Sequence, residues 1–538
     1  MTDIAAKPAA FPPGPAGGSA AAPWQARTQA DYLKLFLGFG GMVIGQFMAI
    51  LDIQIVAASL SQIQAGVGAS ADEIAWVQTI YLLAEVVIMP LTAYMTRLWG
   101  TRPTFMVCCA AFIVTSVMTG LSTSIDMMII TRALQGLAAG AMIPAVFATA
   151  FTAFPPERRM TANVIVSVIV TLAPTIGPTL GGHITEALSW RWLFFINVPP
   201  GLVVLFLVGR YGDFDKGDPS LAKGVDWWGV GLMAIALLSI QWVLEEGAGD
   251  SWFQDDIILW LTVLGVITLA AFIWRQLTYK QPIINLRPFS DRNFSLGIMM
   301  TLVAGVSLFG GTFIIPLFLA QVRGYSAAQV GSTMFISGAT MMITGPTVGR
   351  FVRTIDPRIG IVTGFGLAAY GVGLGRYVTD AWGFWEFAGL QALRGVGVMI
   401  AMISSQSMTV STMKPQLMKD ASAIVNLVRN VGGAVGLAFL STVIGVQQRA
   451  HLTDISSAMS ITNPRSVALL SDMQGFMAGS FDPIGGGYKA VASMAGKQAL
   501  VLAFGDAFFW LAAFSAVAAV LAIFARPSKG IAAKTGSH

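Results

Sequence analysis

Residues 173–182 read APTIGPTLGG. Pro174 and Pro178, with Gly177, Gly181 and Gly182, interrupt what hydropathy otherwise reads as one membrane helix over roughly residues 160–185. Inside a soluble helix each Pro costs ~3 kcal/mol and each Gly ~1 kcal/mol relative to Ala. A bilayer tolerates them where neighbouring helices re-satisfy the freed backbone groups and where a bend or a close approach has a use. The stretch therefore predicts a kinked helix pressed against a partner, the hinge of a protein that moves.

The 538 residues around it exclude a soluble enzyme. Charged residues make up 11% of the chain, against about 25% in an ordinary globular domain, and hydrophobic residues reach 55%. A spanning helix takes ~20 largely apolar residues. Fourteen such stretches occur, near 35–58, 74–95, 103–122, 126–152, 160–185, 191–211, 227–245, 255–275, 294–320, 327–352, 358–377, 384–411, 421–446 and 501–525. The fold class is an all-α polytopic membrane protein with 14 transmembrane helices. An even number of crossings puts both ends on one side. Most of the 32 Lys and Arg fall in the tails and alternate loops, and the loop at 59–73 has none, so both termini are expected in the cytoplasm. The net charge of +5 is then a topological signal, and no nucleic-acid partner is implied. Residues 1–34, rich in Ala, Pro and Gly, read as a disordered cytoplasmic tail without a signal-peptide core, and 527–538 as a second tail. Cys108 and Cys109 are adjacent in the third stretch and read as packing residues.

The chain repeats itself. Pro90, Arg97 and Arg102 recur with the same spacings as Pro346, Arg353 and Arg358, displaced by 256 positions. Gly177 and Gly181 recur as Gly432 and Gly436, and Leu134-Gln135-Gly136 has a counterpart in Leu393-Arg394-Gly395. Two homologous six-helix halves are expected, 35–212 and 293–526, joined by a linker at 213–292 that carries two inserted helices. Parallel halves of this kind are the architecture of transporters that rock between two access states. Residues 447–500 form the one long loop, periplasmic on this topology, and read either as a docking surface or as an excursion without a role.

No P-loop is present, and His183, His451 and His538 lack ligand spacing, so neither cofactor nor metal is expected and the protein is not read as an enzyme. What remains is ionisable side chains at membrane depth, each costing ~2.5–3.5 kcal/mol on insertion scales. Asp52 lies about 17 residues into the first stretch, ~25 Å deep, and Arg132 lies ~9 Å from the opposite end of the fourth. Their depths agree, so the two can pair. A carboxylate beside a guanidinium can trade a proton as its surroundings open to either side; the alternative is a static pair that only stabilises. Glu85, ~17 Å from its helix end, could carry a second proton or hold a cationic substrate. It could equally be hydrogen-bonded between helices. Arg97, Gly100, Arg102, Arg353, Arg358 and Arg429 are candidate gating residues, Arg429 with snorkelling as the alternative. Gln78, Tyr81, Gln135, Phe313, Met334, Met402, Gln406 and Asn426 are candidates for a soft apolar substrate cavity.

Together these landmarks resemble the drug:proton antiporters of the major facilitator superfamily, in the fourteen-span branch of EmrB- and QacA-type multidrug exporters. The resemblance covers roughly residues 35–526. Leu51-Asp52 with Ile55-Val56 resembles that branch's acidic first-span motif. Arg132 with Gln135-Gly136 is similar to the fourth-span motif, whose arginine is linked to proton transfer. Gly177-Pro178 with Gly181-Gly182 resembles the antiporter motif. Trp190-Arg191-Trp192, Phe195, Asn197, Pro199 and Gly201 match the start of the sixth span. The loop after the second span departs from the pattern: Arg97, Gly100 and Arg102 remain, but Thr96 stands where the family has an aspartate that latches the halves on the cytoplasmic face. The strength of that latch is thereby put in question.

The resemblance implies an inner-membrane exporter that exchanges protons for apolar, cationic or aromatic toxic compounds by alternating access. Asp52, Arg132 and Glu85 would be its proton-coupling groups, and Pro174, Gly177, Pro178, Gly181 and Gly182 its hinge. It also implies a periplasmic adaptor and an outer-membrane channel as partners of a tripartite pump. Two rivals stand beside this reading: a dedicated exporter of one metabolite, such as an aromatic acid or siderophore, and a membrane sensor or scaffold that does not transport.

Overall fold

A computed structural model describes residues 29–57, 59–249, 251–351, 356–410, 413–459, 464–477 and 482–525. Arg353, residues 1–28 of the first predicted tail and all of the second, 527–538, lie outside them. Fourteen long helices are present at the predicted positions: α1 (Gln29–Ala57), α2 (Ala71–Leu98), α3 (Thr101–Gly120), α4 (Ile125–Thr152), α5 (Pro156–Ala187), α6 (Trp192–Tyr211), α7 (Trp227–Glu246), α8 (Asp256–Thr278), α9 (Arg292–Gln321), α10 (Ala327–Phe351), α11 (Pro357–Tyr377), α12 (Phe384–Val410), α13 (Met418–Ala458) and α14 (Pro483–Leu521). Twelve are long and apolar enough to cross a membrane, and α5, counted across its bend, makes thirteen. The exception is α10, whose Gly, Ser and Thr content lowers its hydropathy. It lies between α5 and α12, and its small residues let it press against them. A Cβ on Gly345 would come within 2.6 Å of Val168, and one on Gly349 within 2.6 Å of Val164. Outward-facing Trp260, Ile267 and Trp274 on α8 and Phe206 on α6 suit a lipid surround, in which only helices and closed barrels satisfy their backbones.

Helices α1–α6 pack together, as do α9–α14. The two groups meet where α5 lies along α10 and where α13 crosses α2 and α4. The sequence repeat has a geometric counterpart. Arg132 Nε donates to the Val77 carbonyl at 3.1 Å, and Gln391 Nε2, its equivalent on α12, donates to the Thr333 carbonyl at 2.9 Å. A Cβ on Gly136 would sit 2.3 Å from the Tyr81 carbonyl oxygen, and one on Gly395 2.8 Å from that of Ser337. Inserted α7 packs on α2 and α13, and α8 packs on α7.

Two expectations need correction. Helix α1 already begins at Gln29, inside the segment read as a disordered tail. Residues 447–500 are largely helical rather than an open loop. Helix α13 runs on to Ala458, a short helix spans Pro464–Phe476, and α14 starts at Pro483. Polar residues end the apolar signal without ending the helix, because Gln, Arg, Lys and Ala all favour helix. At 1.5 Å per residue the 41 residues of α13 reach about 60 Å, twice the ~30 Å hydrocarbon thickness, so this hairpin projects beyond the bilayer.

Candidate functional site

The bend forecast by residues 173–182 is present: Arg158–Pro174 and Ile176–Ala187 meet at 47°. Its glycines press α5 against α1. A Cβ on Gly177 would lie 2.4 Å from Gln54 Cβ, and one on Gly181 2.7 Å from the Ile55 carbonyl oxygen. Gly181→Val is therefore expected to cost about 1–3 kcal/mol by overpacking. A thermal-unfolding series on the detergent-solubilised protein, with Gly181→Ala as the intermediate, would read it; equal melting temperatures for all three would contradict the contact.

Asp52, fully buried on α1, is the hub of a polar cluster inside the first half. Its Oδ2 lies 2.5 Å from Arg132 Nη1. Its Oδ1 accepts from Asn197 Nδ2 at 2.8 Å and Gln135 Nε2 at 3.2 Å. Arg132 Nη1 also reaches Gln135 Oε1 at 3.0 Å, and the guanidinium lies 4.1 Å above the Tyr81 ring. Tyr81 donates its hydroxyl to the Ala49 carbonyl. The predicted pairing thus exists, enclosed by protein rather than lipid. Asn197 sits in the break between Trp192–Phe195 and Val198–Tyr211, where the interrupted helix turns its amide inward; it also donates to Ser116 Oγ at 3.1 Å. Its place in the sixth-span motif was the available signal for this role. Cys108 and Cys109 are buried and unbridged.

Glu85 belongs to a different place. It is 1% exposed and lines a cavity of ≈110 Å³ between the halves with Gln78, Gln241, Glu245, Arg429 and Asn430. Its Oε1 accepts from Asn430 Nδ2 at 3.2 Å, while Oε2 has no hydrogen-bond partner among the described residues. A second cavity of ≈460 Å³ shares Gln54, Gln78, Phe309 and Leu437 with it and adds Pro178, Phe313 and Tyr325. It lies toward the face opposite the one bearing Gln29 and Ala525, here the tail face.

The remaining cavity candidates divide. Gln78 and Phe313 do line the cavities. Tyr81 and Gln135 instead serve the Asp52–Arg132 cluster, and Met334 and Met402 are buried in packing cores. Gln406 and Asn426 border a separate ≈10 Å³ void with Phe147 and Ser422. Arg429 does not snorkel: it is 3% exposed, donates to Asn426 and stacks 4.8 Å over Phe147.

The tail face is closed by a latch richer than the sequence indicated. Arg97 Nη1 grips both oxygens of Asp420 on α13, at 2.6 and 2.8 Å, and its Nη2 donates to the Ile283 carbonyl at 2.8 Å. Lys419 donates to the Thr96 carbonyl at 2.9 Å and pairs with Asp215. Asp215 Oδ1 also accepts from the Thr101 amide at 2.7 Å. Asp215, brought in by the linker after α6, thus supplies a carboxylate where Thr96 lacks one. Gly100 has φ +90°, and its hydrogen faces Gly217 at a distance where a Cβ would be crowded, so glycine is required here. Arg102 and Arg358 do not bridge the halves. Arg102 donates to the Gly209 carbonyl. Arg358 pairs with Asp356 at 2.8 Å and reaches the Ala525 carbonyl. Partial burial works against the charged form of Asp356, but the Arg358 hydrogen bonds outweigh it and hold that carboxyl below its ordinary value.

Comparison with known proteins places this geometry. Residues 42–437 match the profile of the Major Facilitator Superfamily. The chain is 34% identical to the "Colistin resistance protein EmrB" of Acinetobacter baumannii, over 90% of this chain and 95% of that one. It is 28% identical to the "Multidrug export protein EmrB" of Escherichia coli K12, over 90% and 94%. The crystal structure of the human organic anion transporter TETRAN shares the fold, with a TM-score of 0.55 at 12% identity, over 89% of this chain and 99% of that chain.

Proposed function

The chain belongs to the major facilitator superfamily, and from that premise we propose that it exports toxic amphipathic compounds from the cytoplasm in exchange for protons. The observation that carries this reading is the pair of joined cavities between the halves, apolar apart from a few polar groups, with the unpartnered Glu85 carboxyl oxygen in its wall. The name of the Escherichia coli relative, a multidrug export protein, supports the choice of multidrug export over a single metabolite.

With the tail face cytoplasmic, the state described here is sealed toward the cytoplasm by Arg97, Asp420, Lys419 and Asp215. Export then requires that the latch break and re-form once per cycle. Asp52 and Glu85 divide the proton work. Asp52 is held by cationic and amide donors from Arg132, Gln135 and Asn197 while the latch is closed. Glu85 faces the cavity with one oxygen unpartnered among the described residues, so its proton and a substrate compete for the same space. Entry of one charge across 100 mV supplies ~2.3 kcal/mol; at 1.36 kcal/mol per decade this sustains about a 50-fold gradient. One or two protons per cycle therefore suffice.

The projecting α13–α14 hairpin offers the far side a surface for an inner-membrane permease to meet a periplasmic adaptor and, through it, an outer-membrane channel. Efflux of several chemically unrelated dyes from energised cells tests the export reading. Wild type should lower the accumulation of all of them, and Glu85→Gln should lose most of this effect for cationic dyes. Efflux of one compound alone would favour the dedicated exporter.

A further inference from the structure

Helix α7 is an insertion that the two-half architecture does not need, yet it carries polar groups into the central cavity. Gln241 is 4% exposed, and its Nε2 donates to Glu245 Oε1 at 2.9 Å. Its Oε1 has no partner among the described residues. Both side chains line the ≈110 Å³ cavity that Glu85 lines from α2. Depths agree: Glu85 lies thirteen residues from the tail-face end of α2 and Gln241 fourteen from that of α7, about 20 Å in each case. The helix is held against both halves. Trp242 packs edge-on against Trp76 of α2 with centroids 4.6 Å apart, and Trp252, just past α7, donates to Thr442 Oγ1 of α13 at 2.8 Å.

The cavity therefore holds acceptors from two helices that have no partner among the described residues, Glu85 Oε2 and Gln241 Oε1, beside a second carboxyl group, Glu245. Arg429 is the cation among the cavity's described lining residues, and its Nη1 has no partner among them either. With both carboxylates ionised and Arg429 charged, one negative charge is left over. Buried acceptors left unpaired are costly, and a ligand that donates hydrogen bonds and carries one positive charge would satisfy both oxygens.

We propose that α7 completes a binding site for the head group of a monovalent organic cation, with Glu85 and Glu245 supplying the charge and Gln241 an orienting acceptor. The apolar body of the ligand extends into the adjoining ≈460 Å³ cavity. This inference rests on the export reading and adds to it a substrate class and a role for the inserted helix: α7 selects for positive charge.

The test uses the full chain in lipid nanodiscs, titrated with ethidium, a planar organic monocation with amino donors, and with Nile red, a neutral dye. Glu245→Gln is expected to weaken ethidium binding at least tenfold and Gln241→Leu several-fold. Nile red affinity should stay within twofold, and the melting temperature should not move. Ethidium affinity unchanged in Glu245→Gln overturns the proposal. So does an equal loss for both dyes, which would mark Glu245 as a packing residue, and so does a wild type that binds Nile red but not ethidium. Failure of the export reading is separate: it appears as wild-type vesicles that accumulate neither dye, whatever the binding data show.

Discussion

Replacing Arg132 with leucine is expected to remove about 3–5 kcal/mol of stability, the usual cost of stripping the partner from a buried charge. Asp52 would keep only the amides of Gln135 and Asn197 as donors, in a site with no solvent exposure. Pairing the change with Asp52→Asn should restore most of the lost stability, since a neutral amide can share hydrogen bonds with Gln135 and Asn197. Chemical denaturation of the detergent-solubilised protein, carried through the four-member cycle, measures the coupling. A coupling below about 1 kcal/mol would place the pair in the class of solvent-screened ion pairs and contradict the enclosure described here.

The second large effect belongs to the latch. In Asp420→Ala, Arg97 loses a two-oxygen grip and the Asn285 amide loses its acceptor. Asp420 is 1% exposed in this state and would be hydrated once the tail face opens, so the interaction favours the closed state alone. Only such differential contacts shift a conformational equilibrium. About 3 kcal/mol of difference moves the closed-to-open ratio on the order of a hundredfold. A cysteine placed at Gln406, beside the small void on the tail side, should react with a membrane-impermeant maleimide at least tenfold faster in the Asp420→Ala background. Equal rates in both backgrounds would show that the latch does not hold the tail face shut.

How much of this was legible in the sequence follows from the kind of signal each feature leaves. The kink at 173–182 and the Asp52–Arg132 pair were readable because proline, glycine and buried charge are rare in apolar helices, and helix depth can be counted. The pair's orientation was not. Asp52 points into its own half, while neighbouring Ile50, Ile53 and Gln54 face the cavity, a matter of a 100° step between residues that needs the packed bundle to resolve. The latch was invisible beyond Arg97, since Asp215, Lys419 and Asp420 lie in loops or at a helix start, where charges are ordinary. Methionines misled for a related reason: Met334 and Met402 fill core gaps, the commoner use of a flexible thioether. Gln241 and Glu245 are four residues apart on one helix face. They went unread because they sit at the end of an apolar stretch, where polar residues are expected.

If membrane-embedded carboxylates exchange protons for a substrate, adding ethidium to reconstituted vesicles changes their internal pH, with wild type compared against Asp52→Asn and Glu85→Gln of equal folded content. Substrate-driven proton movement is expected in wild type and its loss in both variants. Proton movement at wild-type rate in both would mean that the coupling lies elsewhere in the chain.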